Sequence, residues 1–188
     1  HATKLANDLL DADKTYIAGI TLGKSTTTGD MEGDVIFSSD AVVTREQWDA
    51  IVPQFMGEIA QIPPMYSALK KDGKPLYELA RAGVEVEREA RQVTIVSLET
   101  LSFDYPNVRL KVRCSKGTYI RTLAEDMGKA LGVGAHLNAL QRTGVGELDL
   151  ADAITLEQLD AIAADERVQT LLPLDTLLQN CPVIDLPQ

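Results

Sequence analysis

Val108-Arg109-Leu110-Lys111-Val112-Arg113-Cys114 alternates apolar and basic residues without a break. A strand of period two sends them to opposite faces, so Val108, Leu110, Val112 and Cys114 enter a core while Arg109, Lys111 and Arg113 form a row of positive charge. After Ser115 comes Lys116-Gly117-Thr118-Tyr119-Ile120-Arg121-Thr122, and no acid occurs between Tyr105 and Ala124. Five basic side chains in this stretch suit a polyanionic partner. The same pattern suits a solvated edge strand.

Working outward, Tyr105-Pro106-Asn107 reads as a turn, so Val93 to Phe103 is expected to pair with the basic strand as a hairpin. Its apolar phase changes between Ile95 and Val96 and again between Leu98 and Leu101, which predicts bulging. Downstream, Ile120, Leu123, Met127 and Leu131 mark the buried stripe of a helix ended by Gly132, and Leu137, Ala139 and Gln141 return as a strand. Upstream, Tyr16, Ala18, Ile20 and Leu22 form a strand buried on both sides and ending at Gly23. Lys24 to Gly33 reads as a loop. Thr44 with Gln47 and Thr155 with Gln158 are capping boxes, the first for a helix that Pro53 shortens. The chain opens with Ala2, Leu5, Ala6 and Leu9 at helical spacing but with no N-cap. Hairpin-linked strands with irregularly interspersed helices indicate an α+β fold with a mainly antiparallel mixed sheet.

Residues 62–88 read as an insertion projecting from that sheet. Pro63-Pro64 stiffens its entry, Lys70-Lys71-Asp72-Gly73-Lys74 is an exposed turn, and Pro75 starts a short helix through Leu76 and Leu79 that stops at Gly83. Lys70, Lys71, Lys74 and Arg81 interleave there with Tyr66 and Tyr77. Such a mixture fits RNA backbone and base contacts, and equally a surface hairpin packed over its tyrosines.

The 188 residues carry a net charge of −10, which taken whole argues against nucleic acid. The charge is not evenly spread. Residues 147–188 hold nine acids against Arg167 alone, which leaves −2 for residues 1–146, so the body is near neutral with basic runs. No apolar run approaches the ~20 residues needed to cross a bilayer, and a cytoplasmic location is expected. Cys114 and Cys181 make no disulfide framework, and with His1 and His136 as the only histidines no metal site is expected. No Walker loop, dinucleotide fingerprint or Ser-His-Asp spacing is present. Asp30 and Asp126 read as a turn former and a helix-face residue.

Several longer segments together resemble the bacterial TruB family of tRNA pseudouridine synthases. They are Lys14-Thr15-Tyr16, Leu22-Gly23, Thr26 to Gly33, Gln61-Ile62-Pro63-Pro64-Met65-Tyr66-Ser67-Ala68-Leu69-Lys70, Leu76 to Gly83, Cys114 to Leu123, Gly132 to Leu137 and Leu140-Gln141-Arg142. The resemblance implies the pseudouridine synthase catalytic fold and isomerisation of a uridine in the tRNA T-stem-loop, with no cofactor, no metal and no protein partner required. The base would be flipped from its loop and attacked by a carboxylate, and the uracil would be rejoined through carbon. Tyr16 would stack on the flipped base and assist proton removal. Tyr119 and Leu140 would line its pocket, and Arg121 would pair with the nucleophilic aspartate. RNA contacts would fall to Tyr66, Lys70, Lys71, Lys74, Arg81, Arg109, Lys111, Arg113, Lys116 and Arg142.

The family's nucleophile lies in a Gly-x-Leu-Asp-Pro segment, and no aspartate among the 188 residues has that context. The expectation is therefore a catalytic domain over residues 1–180 lacking its N-terminal piece, with 181–188 beginning a linker to an absent C-terminal PUA-like domain. Alone, the chain would be inactive, a tRNA-binding or tRNA-folding module, able to associate with the missing N-terminal segment.

Overall fold

The structure is a computed structural model that describes residues 9–173 and residue 176. The helical spacing at Ala2, Leu5 and Ala6, the cysteine at 181 and the boundary at 181–188 lie outside the described residues.

A six-stranded sheet runs in the order β10-β9-β1-β8-β7-β4, and every pairing in it is antiparallel. The strands are β1 (Lys14–Leu22), β4 (Gly57–Gln61), β7 (Arg91–Asp104), β8 (Asn107–Cys114), β9 (Ala135–Val145) and β10 (Leu148–Asp149). Exposure along β8 alternates at every residue, so the basic row is real and the intervening Val108, Leu110, Val112 and Cys114 are fully buried. The β7–β8 register slips between Ile95 and Ser97 and between Thr100 and Ser102. These are the two places where the apolar phase of β7 changes.

One face of this sheet holds the core. Helix α3 (Ile120–Ala130) lays Ile120, Leu123, Ala124 and Met127 on Ala18, Ile20, Leu110 and Leu137, a stripe at positions i, i+3, i+4 and i+7. Each isoleucine, leucine or methionine side chain among these, fully removed from water, contributes about 1.5–3 kcal/mol before entropy is counted. Close approach of α3 to β9 depends on Gly128, where an added Cβ would stand 2.3 Å from the Ala135 nitrogen. Helix α1 (Arg45–Ile51) carries the Thr44–Gln47 capping box and gives way to a 3-10 turn containing Pro53. It sinks Trp48 into the same core, where the indole N–H donates to Thr100 Oγ1 at 2.9 Å.

Several elements depart from the sequence reading, among them the short strand β10 that closes one edge of the sheet. Lys24 to Gly33 is not all loop, because β2 (Lys24–Thr26) pairs with β3 (Val35–Ser38) as a separate ribbon. All four β3 residues are exposed, so neither alternation nor burial marked them. The edge strand β4 was also missed, because only Ile59 and Gln61 of its five residues turn inward. The insertion forms as expected: a hairpin of β5 (Lys70–Lys71) and β6 (Lys74–Pro75) leads into α2 (Leu76–Arg81). Helix α4 (Leu156–Ala161) carries the Thr155–Gln158 capping box.

Candidate active site

Helix α3 starts at the sheet face that carries Tyr16, and its first turn presents Arg121 beside the buried stripe. The guanidinium is not directed to solvent. Nη1 donates to Thr28 O at 3.1 Å and to Asp30 Oδ2 at 3.0 Å, and Nη2 donates to Tyr66 O at 2.6 Å. One side chain thus ties α3 to the loop after β2 and to the root of the insertion. The side chains of Arg121 and Asp30 are 25% and 24% exposed. This is dry enough for a planar, charge-assisted pair to hold geometry, and losing either partner would leave an uncompensated charge.

Asp30 is itself held. Its Oδ1 accepts from Thr28 Oγ1 at 2.5 Å and from the Glu32 N–H at 3.2 Å, and its carbonyl accepts from Thr26 Oγ1 at 2.6 Å. The loop docks on β9 through Leu137 N–H to Gly29 O at 2.9 Å and a parallel bridge between Asp30 and Leu137. Glu125, one turn beyond Arg121, lies against Gly29. A Cβ at Gly29, whose φ is +72°, would stand 3.0 Å from the Glu125 carboxyl carbon. Burial pushes the Glu125 pKa up, opposed by Lys129 and Arg121.

Tyr16 pairs across β1 with Val112 on one side and Arg142 on the other, and Leu140 pairs with Ala18. Tyr16, Leu140 and Arg142 therefore share the face on which α3 packs. Burial is the main influence on the Tyr16 phenol and raises its pKa above the ordinary 10.0, with Cys114 adding to the rise and Arg142 opposing it. Leu140 is 48% exposed and borders, with Asp30, Met31 and Leu137, an open groove of about 220 Å³. Tyr119 is half-buried at the N-cap of α3.

Other expected contacts fall elsewhere. Arg109, Lys111 and Arg113 lie on the opposite face, because the register that places Val112 beside Tyr16 places Lys111 beside Ile17. Lys111 also faces Glu99 across β7, Arg113 pairs with Asp13 at 3.2 Å, and Lys116 pairs with Asp11 at 2.6 Å. The row and Arg121, counted together among the five basic side chains of this stretch, thus lie on opposite sides of the sheet, with its thickness between them. In the insertion Lys70 and Lys74 are exposed, Lys71 donates to Glu87 O at 2.7 Å, and Arg81 sits 5.5 Å over the Tyr77 ring. Tyr66 reaches Arg121 through its carbonyl. Asp126 pairs with Lys129 on the helix surface, whereas Asp30 does more than form a turn. No spacing rule links residues 91 apart; the one local signal was a carboxylate set among threonines that can hold it.

Residues 1–120 match the family model described as TruB family pseudouridylate synthase (N terminal domain), and residues 121–179 match that described as tRNA pseudouridylate synthase B C-terminal domain. The chain belongs to the TruB family of pseudouridylate synthases. The boundary between the two family models falls within the first turn of α3, yet both parts build one sheet, since β9 pairs with β1 along its length. A protein named tRNA pseudouridine synthase B from Cupriavidus metallidurans is 58% identical over 187 residues, which is 98% of this chain and 60% of that protein. Its namesake from Azoarcus sp. is 55% identical over 185 residues, covering 98% and 62%. The chain therefore spans about three-fifths of the length of these TruB relatives. Among solved structures, a Cbf5-Nop10-Gar1 complex contains a chain similar at 29% identity and TM-score 0.66, covering 93% of this chain and 46% of that one. An H/ACA RNP bound to a substrate RNA containing 2'-deoxyuridine shares the fold at 24% identity and TM-score 0.63, covering 93% and 44%.

Proposed function

We propose that this TruB chain forms the uridine-binding and carboxylate-orienting part of an enzyme that converts a T-loop uridine of tRNA to pseudouridine. The observation that carries the reading is the Arg121 guanidinium, held by Thr28, Asp30 and Tyr66 at the sheet face bearing Tyr16, Leu140 and Arg142. A flipped uracil needs an apolar platform and a wall. Tyr16 supplies the first, and Tyr119 with Leu140 the second. A carboxylate that attacks the ring or sugar must be ionised and aimed, which a desolvated, pre-positioned guanidinium accomplishes without reorganising during the reaction. The attacking group is that of the family's Gly-x-Leu-Asp-Pro segment. Asp30 already spends its oxygens on Arg121, Thr28 and Glu32, which fits a brace rather than a nucleophile. The T-stem-loop is held from the insertion by Lys70, Lys74 and Tyr66, with Arg142 nearer the base.

The test is tritium release from a T-stem-loop labelled at uridine C5, with the Gly-x-Leu-Asp-Pro segment present in the same chain or added in trans. Release at catalytic turnover supports the reading. Tight binding of the RNA without release would instead make the protein a tRNA-binding module.

A further inference from the structure

We propose that Gln61 is a positioning residue for this site, acting through the backbone of Tyr119. The inference rests on the functional reading above. Gln61 ends the edge strand β4, yet it is only 1% exposed. A primary amide so deeply buried must find partners for both ends. Gln61 finds them on a single residue 58 positions away: Oε1 accepts from the Tyr119 N–H at 3.0 Å, and Nε2 donates to Tyr119 O at 3.3 Å. The side chain thereby pairs with Tyr119 as a neighbouring strand would.

Tyr119 is where such a clamp matters. It is the N-cap of α3, in extended conformation at φ −99° and ψ 109°, and no side chain caps the helix there. Its carbonyl accepts the first intrahelical bond, from Leu123 N–H at 3.0 Å. The dihedrals at this one residue set where the Tyr119 ring projects and how Arg121, two residues on, leaves the helix. Five residues beyond Gln61, Tyr66 offers its carbonyl to Arg121. The root of the insertion is thus fastened to the start of α3 twice, by Gln61 to Tyr119 and by Tyr66 to Arg121.

The experiment uses the intact, active protein and three variants. Gln61→Met keeps the volume and removes both bonds. Val93→Ala, on β7 opposite Ile59 of β4, weakens the neighbouring core without touching Tyr119. Gln61→Glu is isosteric and reports through pH. When protonated it donates to Tyr119 O and accepts from Tyr119 N–H; when ionised it can only accept, and it repels the carbonyl. Burial raises the pKa of such a carboxyl, so the competent form is present at low pH and lost as pH rises. Loss of the paired bonds should lower kcat of Gln61→Met by about tenfold or more, with T-stem-loop affinity within about threefold. The Gln61→Glu deficit relative to wild type should shrink as pH is lowered from about 8.5 to about 6. Wild-type kcat in Gln61→Met, an equal kcat loss in Val93→Ala at matched melting temperature, or a Gln61→Glu deficit indifferent to pH would overturn the proposal. Absence of turnover in the wild type would sink the functional reading instead.

Discussion

The two faces of the central sheet are built from the same strands, one residue out of phase, and they differ in how their cations are used. On the β8 row, Arg109, Lys111 and Arg113 are exposed, and two of the three already face Glu99 or Asp13. On the α3 side the Arg121 guanidinium is mostly withdrawn from water and braced by acceptors from two other segments. Density of charge in the sequence is therefore greatest on the face opposite Arg121. What distinguishes the candidate site is a cation whose orientation is fixed at a desolvation cost, and such a cation is worth far more to chemistry than several solvated ones.

The largest effect should come from Arg121→Lys, which keeps the charge but cannot span Thr28, Asp30 and Tyr66 with two nitrogens. Turnover is expected to fall by roughly 100-fold to 1,000-fold, as when a preorganised transition-state donor is removed, while RNA affinity measured by filter binding changes only a few-fold. Asp30→Asn should follow. It removes the charge partner while leaving an amide oxygen for one hydrogen bond, so kcat in the tritium assay should drop about tenfold to 100-fold, and the melting temperature should fall as well because the Arg121 charge loses its partner in a site mostly withdrawn from water. Next, Lys70→Ala with Lys74→Ala should weaken T-stem-loop binding and lower the slope of log affinity against log salt by about 1.5 to 2, two phosphate contacts' worth. Lys71 is left out because its ammonium is held by Glu87 O. The smallest effect is expected from replacing Arg109, Lys111 and Arg113 together by alanine, with turnover and affinity within about twofold, the usual outcome for solvated surface cations. If this triple change weakened binding as much as the insertion pair, the distinction between the faces would fail.

Much of the fold was legible because periodicity is a local property. The alternation of β8, the two phase changes of β7, the stripe of α3 and both capping boxes each follow from residues within one element. β3 and β4 escaped because an exposed ribbon and a short edge strand bury too little to leave a pattern. For the site, the resemblance to the TruB family led to Tyr16, Tyr119, Arg121 and Leu140, and the register groups Tyr16, Leu140 and Arg142 on the face where α3 begins. What the sequence did not disclose were pairings across long separations. Asp30 reaches Arg121 over 91 residues and Gln61 reaches Tyr119 over 58, each through a single side chain with no spacing to betray it. The side of the sheet that the basic row occupies was left open for a related reason: alternation reveals that a strand has two faces, but only its neighbours decide which face the helix covers.

The central claim is that the target uridine meets the α3 side of the sheet. A T-stem-loop carrying 4-thiouridine at the target position, irradiated in complex with the intact protein, tests it most directly. Cross-linked peptides should map to the Tyr16 strand, the Tyr119–Arg121 turn or the segment around Leu140. Cross-links concentrated at Arg109, Lys111 and Arg113 would contradict it.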